Sequence, residues 1–205
     1  MSKRIQAKKK LSRKYGVSLW GKANDSYLKR NYRPGQHGRG MKGRPSDFGT
    51  QLKAKQKMKF YYGNISEKQF RNIFKAANAI KGDVSENFIG LLESRLDIVV
   101  YRANFVPTVF SARQFVNHKH VLVNGKVVNI PSYRLKIGDI VEVREKSRKL
   151  TLVLESLQNA DTDAPSYLSV DKANFAVKVI AKPSFAEVPY ACEMEPHLIT
   201  EYYSR

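Results

Sequence analysis

The chain has 205 residues, 42% of them hydrophobic, and its 37 Lys and Arg against 18 Asp and Glu give a formal net charge of +19 at pH 7. This composition excludes a wholly disordered chain, and the charge predicts a polyanionic partner, with nucleic acid ahead of an anionic membrane. The single cysteine, Cys192, excludes an internal disulfide and a multi-cysteine metal site and is typical of a reducing, cytoplasmic compartment. No apolar run reaches the ~18 residues that a membrane span needs.

The positive charge is concentrated in the first third of the chain. The first 63 residues carry 18 Lys and Arg against two acidic residues, whereas the last 55 carry four against eight. A graded distribution of this kind indicates a binding surface rather than general solubilisation.

The first 45 residues show no sustained helical or strand period and are expected to form an extended basic arm. Residues 32–45 combine four glycines with basic side chains, a pattern that lets the backbone approach phosphates closely. Two interpretations stay open, an arm that is flexible when free and an arm that folds on contact with RNA. The candidate RNA contacts in the arm are Lys8, Lys9, Lys10, Arg13, Arg33, Gln36, His37, Arg39, Lys42 and Arg44.

Residues 46–91 are expected to form a helical subdomain. The stretch 52–61 predicts a basic helix whose lysines have no acidic neighbours in the sequence. Ser66 and Gln69 predict a capping box for the next helix, and Ser85 is the expected cap of the helix after it. The apolar C-terminal segment 196–205 is predicted to pack back on this subdomain. The candidate RNA contacts here are Lys53, Lys55, Lys57, Lys59 and Arg71.

Residues 92–157 predict a two-helix domain with a small antiparallel sheet, which makes the whole chain α+β. A first helix is expected over residues 91–101 and a second after the break at 106–108, with Ser111 and Gln114 as its local capping box. Asn124-Gly125 predicts a hairpin, and strands are expected over 140–143 and 150–154. The candidate RNA contacts here are Arg95, Arg102, Arg113, Gln114, Asn117, His118, His120, Asn124, Lys126 and Arg134.

Residues 158–195 predict short strands at 167–170 and 175–180, followed by an extended segment that prolines interrupt. No group of residues in the chain has the spacing of a metal site, because His118 and His120 have no carboxylate or thiol cluster beside them. No cofactor or small-molecule substrate is expected. Tyrosines such as Tyr27, Tyr32, Tyr61, Tyr62 and Tyr133 lie among cations and are candidates for stacking on bases, but the sequence assigns that role to none of them.

The string Arg95-Leu96-Asp97 raises the possibility of an enzyme, because Arg-Leu-Asp is the signature of pseudouridine synthases, in which the Asp is the nucleophile. In this chain the string falls inside a predicted amphipathic helix, and too few residues follow for a catalytic domain. The expectation is therefore a non-enzymatic protein, with Asp97 on the helix surface as the partner of a basic residue. An RNA-modifying enzyme stays the alternative.

Several separate strings resemble one family. Residues 92–102 (LESRLDIVVYR), 111–118 (SARQFVNH), 123–133 (VNGKVVNIPSY) and 138–139 (GD) resemble the S4 RNA-binding domain in its ribosomal form. The flanking strings PGQHG at 34–38, EKQFR at 67–71, PSYLSVD at 165–171 and YYSR at 202–205 are similar to the bacterial small-subunit ribosomal protein S4 family. The resemblance covers nearly the whole chain.

That resemblance implies a structural constituent of the small ribosomal subunit that binds a multi-helix junction in the 5′ domain of 16S ribosomal RNA and nucleates assembly. It also implies a position near the channel through which mRNA enters, a role in translational accuracy, and contact with ribosomal protein S5, other small-subunit proteins and mRNA. The family pattern makes Thr108, rather than Ser111, the N-cap of the second helix, and we follow the family. Zinc-binding cysteines that some relatives carry near the N-terminus are missing here.

Overall fold

The computed structural model describes residues 8–40, 43–159 and 163–204. Within these ranges the chain forms nine α-helices and one five-stranded antiparallel sheet, which confirms the predicted α+β class. Contacts divide it into two compact units, the first from Met1–Phe70 and Tyr190–Arg205, the second Arg71–Pro189. The helices are α1 (Lys8–Tyr15), α2 (Ser26–Lys29), α3 (Asp47–Tyr61), α4 (Glu67–Asn78), α5 (Val84–Glu93), α6 (Leu96–Arg102), α7 (Val109–Asn117), α8 (Thr151–Gln158) and α9 (Pro196–Ser204).

The core of the first unit forms where α1 and the segment after it meet the end of α3. Leu11, Tyr15 and Leu19 pack with Phe60 in one buried cluster, and Trp20 and Cys192 lie against it partly buried. Helix α3 begins at Ser46, whose hydroxyl oxygen accepts a hydrogen bond from the Gly49 amide and so satisfies one of the open donors of the first turn. The basic arm therefore contains a structured helix with its own buried face.

Helix α9 packs along α3 in the same unit, where the sequence predicts that the C-terminal segment docks. The amide of Gln51 donates a hydrogen bond to Glu201, and the ring of Phe48 lies 5.6 Å from that of Tyr202. Helix α4 starts after Ser66, whose hydroxyl accepts a hydrogen bond from the Gln69 backbone amide, one of the two bonds of the predicted capping box, and donates to Oε1 of Gln69.

The predicted helix over residues 91–101 is wrong, because the second unit breaks it into α5 and α6 at Ser94 and Arg95. Arg95 is extended, with φ −75° and ψ 139°. The amide of Leu96 donates to the Tyr133 carbonyl and the Leu135 amide donates to the Ser94 carbonyl, so this backbone bonds to a distant loop. The pairing with that loop takes precedence over the local helical period.

The caps of α5 and α7 bear on what the sequence predicts. The cap of α5 differs from the expected one, and the cap of α7 decides between the two candidates. Asp83, not Ser85, caps α5, and its carboxylate accepts from the Ser85 and Glu86 amides. A carboxylate two residues earlier reaches these amides and complements the helix dipole, so the hydroxyl of Ser85 is not used. Thr108 caps α7 in a reciprocal pair with Ser111, as the family pattern indicates.

The sheet lies in the second unit with strand order β2-β1-β3-β5-β4. Its strands are β1 (Val121–Val123), β2 (Lys126–Val127), β3 (Ile140–Val143), β4 (Leu168–Asp171) and β5 (Ala176–Val179). The predicted hairpin joins β1 and β2, and Asn124 and Gly125 have the positive φ angles, 48° and 76°, that its turn requires. Val121 and Val123 face Val143 and Val141 on the buried side.

The strand expected over residues 150–154 is wrong, because this segment belongs to helix α8. Val153 and Ser156 are buried three residues apart, which is the spacing of one helix face. A short apolar run has the same composition in a buried strand and in a helix, so periodicity alone does not separate them. The strands expected near 167–170 and 175–180 are confirmed as β4 and β5; β5 pairs with β3, and β4 pairs with β5 at the edge of the sheet.

Candidate nucleic-acid interface

A basic loop in the first unit is held against α1 by one arginine. Arg13 donates hydrogen bonds from its guanidinium group to the carbonyl oxygens of Tyr32, at 3.0 Å, and Arg33, at 3.3 Å. The same guanidinium lies 4.6 Å from the centre of the Tyr32 ring, and that of Arg39 lies 4.7 Å from it. The hydrogen bond from Arg39 and the neighbouring positive charges lower the pKa of Tyr32. Arg13 therefore fixes the start of the loop instead of pointing freely outward.

The turn that follows is tight and depends on one glycine. The amide of Gly38 donates to the Gly35 carbonyl and that of Gly40 to the His37 carbonyl. A Cβ atom on Gly38 would lie 1.8 Å from the carbonyl oxygen of Arg33, so no other residue fits there without rebuilding the turn. This geometry gives residues 33–40 a definite shape with the basic side chains outside.

The predicted contacts of the arm are mostly exposed. Helix α1 presents the predicted contacts Lys9 and Lys10 to solvent, and the loop presents its arginines together with one glutamine and one histidine. Lys42 and the side chain of Lys8 lie outside the described residues. The exposed candidates of the first unit are Lys9, Lys10, Arg33, Gln36, His37, Arg39, Arg44 and Lys53.

The expectation that the lysines of α3 find no acidic partner is wrong for three of the four. Lys55 and Lys59 pair with Glu67, at 2.8 Å and 3.2 Å, and Lys57 pairs with Glu195 at 3.0 Å. Glu67 lies on the next helix, 12 and 8 residues after Lys55 and Lys59, and Glu195 lies 138 residues after Lys57, so the charges within the segment 52–61 do not indicate either partner. Burial alone would raise the pKa of Glu67, but hydrogen bonds from the two lysines and Tyr203 outweigh it and lower that pKa.

Asp97 lies in the core, not on the helix surface as the sequence suggests. Its carboxylate accepts two hydrogen bonds from Arg95, 3.0 Å and 2.6 Å long, and the two side chains are 1% and 2% exposed. Burial raises the pKa of Asp97, while the positive charges of Arg95 and Arg113 act against that rise. The prediction of a basic partner holds, but a buried, paired carboxylate is in no position to attack a base.

Arg102 forms the second buried pair of this unit. It donates from Nε and Nη2 to the carboxylate of Glu93, at 3.0 Å and 2.9 Å, and the Tyr167 hydroxyl donates to the same carboxylate at 2.8 Å. The Arg102 guanidinium also donates to the Pro189 carbonyl. Because Arg95 and Arg102 are committed to core carboxylates, we leave both out of the RNA contacts proposed below.

The surface of the second unit keeps the remaining predicted residues. The side chain of Asn124 bonds the hairpin turn to the start of β3. Its Nδ2 donates a hydrogen bond to Asp139 and its Oδ1 accepts one from the Ile140 amide, both at 2.9 Å. His120 contacts the Ser147 hydroxyl at 2.8 Å, and partial burial lowers its pKa. The fully exposed candidates are Arg71, Gln114, His118, Lys126 and Arg134, while Arg113 and Asn117 are half-buried.

Further exposed Lys and Arg residues were not predicted as RNA contacts, because their charge is the only feature of the sequence that points to them. In the first unit they include Lys14, Lys29, Arg30 and Lys68; in the second they include Lys75, Lys119, Lys136, Arg144, Lys146, Lys149 and Lys178. The sequence also left Tyr133 undistinguished from the other tyrosines, although this residue is 40% exposed.

The described part of the chain contains neither a candidate metal site nor a candidate membrane-spanning helix. Across residues 8–40, 43–159 and 163–204, no group of three or more His, Cys, Asp or Glu side chains is arranged to hold a metal ion. No helix in those ranges is long and apolar enough to cross a membrane.

A helical unit and an α+β unit that both present exposed Lys and Arg, with Glu67, Glu93 and Asp97 held in ion pairs, indicate an RNA-binding structural protein. Comparison with known proteins agrees: residues 3–93 match the family described as Ribosomal protein S4/S9 N-terminal domain, and residues 94–141 match the S4 domain. The chain belongs to the small ribosomal subunit protein uS4 family. It is a structural protein and not an enzyme, as the sequence predicts.

The curated relatives are similar along their whole length. Proteins named "Small ribosomal subunit protein uS4" are 59% identical in Chelativorans sp. (strain BNC1), 56% in Parvibaculum lavamentivorans and 57% in Ruegeria pomeroyi. Each alignment runs over 205 residues and covers all of both chains. The resemblance drawn from the sequence strings is confirmed.

Proposed function

We propose that this protein is a primary ribosomal-RNA-binding constituent of the small ribosomal subunit in the cytoplasm. The observation that supports it most is the basic loop 33–40, which the Arg13 hydrogen bonds and the Gly38 turn hold in one shape while Arg33 and Arg39 stay exposed. A preshaped loop of this kind loses little entropy when its cations meet phosphates. The names of the relatives support the ribosomal setting.

The RNA target is a multi-helix junction in the 5′ domain of 16S ribosomal RNA, whose binding nucleates assembly of the subunit. The wide, shallow minor groove and the phosphate shape of such a junction are what exposed Lys and Arg recognise, because side chains do not reach into the narrow A-form major groove. The proposed contacts are Lys8, Lys9, Lys10, Arg33, Gln36, His37, Arg39, Lys42, Arg44, Lys53, Arg71, Arg113, Gln114, Asn117, His118, His120, Lys126 and Arg134. Arg13, Lys59 and Asn124 are left out because their side chains are bonded to the loop, to Glu67 and to the hairpin turn.

The finer roles rest on family membership together with the placement of α9. In this proposal the protein lies near the channel through which mRNA enters, contacts ribosomal protein S5 and other small-subunit proteins, and influences translational accuracy. Helix α9 supports this assignment because it presents side chains to solvent from a short helix that is tied to α3 by polar contacts such as Gln51 to Glu201. Contact with mRNA belongs to the same proposal.

The test is a binding competition with defined transcripts. Full-length protein is bound to a labelled transcript of the 16S 5′ domain and challenged with unlabelled copies of that transcript or with a 23S ribosomal RNA fragment of equal length. The proposal expects the 16S transcript to compete at least tenfold better at equal concentration, about 1.4 kcal/mol of discrimination. Equal competition by both RNAs would mean that the protein binds polyanions without preference, which contradicts the proposal.

A further inference from the structure

One loop of the second unit is held on the core by backbone hydrogen bonds. The loop of residues 129–134 connects the hairpin to the segment before β3. The Asp97 amide donates to the Pro131 carbonyl at 3.1 Å, the Leu96 amide to the Tyr133 carbonyl at 2.9 Å, and the Tyr133 amide to the Ile130 carbonyl at 3.0 Å. The buried pair of Arg95 and Asp97 lies directly beneath, so the backbone of this loop is anchored to rigid structure.

Tyr133 lies on this anchored loop and is 40% exposed as a residue, whereas Tyr61 and Tyr62 are 2% and 0% exposed. The ring of Tyr32 is already covered by the guanidinium groups of Arg13 and Arg39. Within the described part of the chain no aromatic ring or cation stacks on Tyr133. Of the tyrosines among the cations, it has the most accessible ring.

The surroundings of Tyr133 are apolar and cationic. Ile130, on the same loop, is 55% exposed, and Arg134 and Lys136 follow the tyrosine as exposed cations. Residues 124–138 contain no Asp or Glu, so the segment is purely basic. An exposed ring beside positive charge suits a ligand that has both a flat π-face and an anionic chain, which describes a nucleotide.

We propose that Tyr133 is a stacking site for an unpaired nucleobase of the bound RNA, with Arg134 on the adjoining phosphate and Ile130 against the edge of the base. This site deepens the proposed function and rests on it. The base is unpaired because only bases outside a helix stack present an open face to a side chain. The hydrogen bonds from Leu96 and Asp97 hold the loop in place, so little is lost in ordering it when the base arrives.

The experiment measures binding of the 16S 5′-domain transcript by four full-length proteins, the wild type, Tyr133→Phe, Tyr133→Leu and Ile180→Ala. Tyr133→Phe keeps the ring and is expected to bind within about twofold of the wild type. Tyr133→Leu loses the stacked ring, and its affinity is expected to fall roughly 5- to 150-fold, the range for one stacked base. Ile180→Ala is the matched control, because Ile180 is an apolar residue of the same unit at 52% exposure and lies outside the loop.

A second measurement does not depend on a variant. The wild-type complex is irradiated at short ultraviolet wavelength and digested, and the nucleotide-bearing peptides are identified by mass spectrometry; an adduct on Tyr133 is expected. The stacking site would be overturned if Tyr133→Leu bound the transcript with wild-type affinity. It would also be overturned if Tyr133→Leu and Tyr133→Phe lost affinity equally, because the ring would then make no difference. If Tyr133→Leu bound RNA normally but failed to enter reconstituted subunits, the ring would face a protein, which also overturns it. Failure of the wild type to bind the transcript would instead contradict the proposed function.

Discussion

Arg95 and Asp97 form a two-pronged ion pair inside the second unit, two residues apart at the start of α6. The guanidinium donates to both carboxylate oxygens, at 3.0 Å and 2.6 Å, and neither side chain is more than 2% exposed. Desolvation of two charges is costly, and close two-pronged geometry is what offsets that cost. The pair lies at the α5–α6 break, where the Leu96 and Asp97 amides donate hydrogen bonds to carbonyl oxygens of loop 129–134, so it stabilises this corner between the two helices.

Replacing Asp97 should destabilise the second unit strongly. Asp97→Ala leaves the Arg95 guanidinium buried without its partner, and the expected loss is about 3–5 kcal/mol in the free energy of unfolding. Chemical denaturation followed by circular dichroism measures it. Asp139→Ala, which removes a carboxylate nearer the surface, is the control and should cost less. Equal stability of Asp97→Ala and the wild type would show that the pair does not hold the corner.

Two lysines of α3 separate RNA binding from internal pairing. Lys53 is exposed, whereas Lys57 is buried and paired with Glu195. Lys53→Met is expected to reduce the slope of log affinity against log salt by about one, because one phosphate contact is lost. Lys57→Met should leave that slope unchanged and lower stability by up to about 1 kcal/mol. Filter binding across a KCl series with thermal unfolding of each protein decides, and the reverse pattern would contradict the assignment.

Gly38 in the loop of residues 33–40 and Gly43 just after it form a glycine pair that tests the shape of the loop. Gly38→Ala places a Cβ atom against the Arg33 carbonyl, so the turn is expected to be destabilised by about 1–3 kcal/mol and RNA affinity to fall. Gly43→Ala is the matched control, since a Cβ there meets nothing within 4 Å. Affinity for the 16S 5′-domain transcript is measured for both. Equal affinities would mean that the loop binds without this turn.

Glu67 gives the first unit an acid-sensitive contact between α3, α4 and α9. Hydrogen bonds from Lys55, Tyr203 and Lys59 lower its pKa in the folded protein, so its contribution is present above the unfolded value of about 4.3 and is lost as pH falls through the lower folded value. The protection factors of the α9 amides, which correct for the pH dependence of intrinsic exchange, should therefore fall as the pH drops below that unfolded value. Glu67→Gln should show the lower protection factors already at pH 7. Identical pH profiles for the two proteins would rule out this contact.

Two elements with strong local signals were predicted correctly. The hairpin follows from Asn124-Gly125, whose positive φ angles are a property of the turn itself, and the Ser66 cap follows from side chains within three residues. The Ser85 cap and the strand at 150–154 were wrong because their local patterns fit more than one structure, whereas other errors come from pairing between residues far apart in sequence. The α5–α6 break depends on the loop at 131–135, and the partner of Lys57 lies 138 residues away.

The candidate site follows the same division. Charge and glycine content indicated the basic arm, but which cations face outward is decided by tertiary carboxylates such as Glu93, which occupies Arg102. Tyr133 was one tyrosine among several until the fold exposed it. Residue type therefore predicted the chemistry of the surface, and the packing within each unit decided which of these residues are exposed on it.

The most direct test of the account is the salt dependence of binding between the full-length protein and the 16S 5′-domain transcript. Affinity is measured by filter binding from 50 mM to 500 mM KCl. If five or more phosphates are neutralised, the slope of log affinity against log salt is predicted to be about −3.5 or steeper, at about −0.7 for each phosphate. A slope near zero would contradict the claim that the exposed Lys and Arg side chains hold this protein on ribosomal RNA.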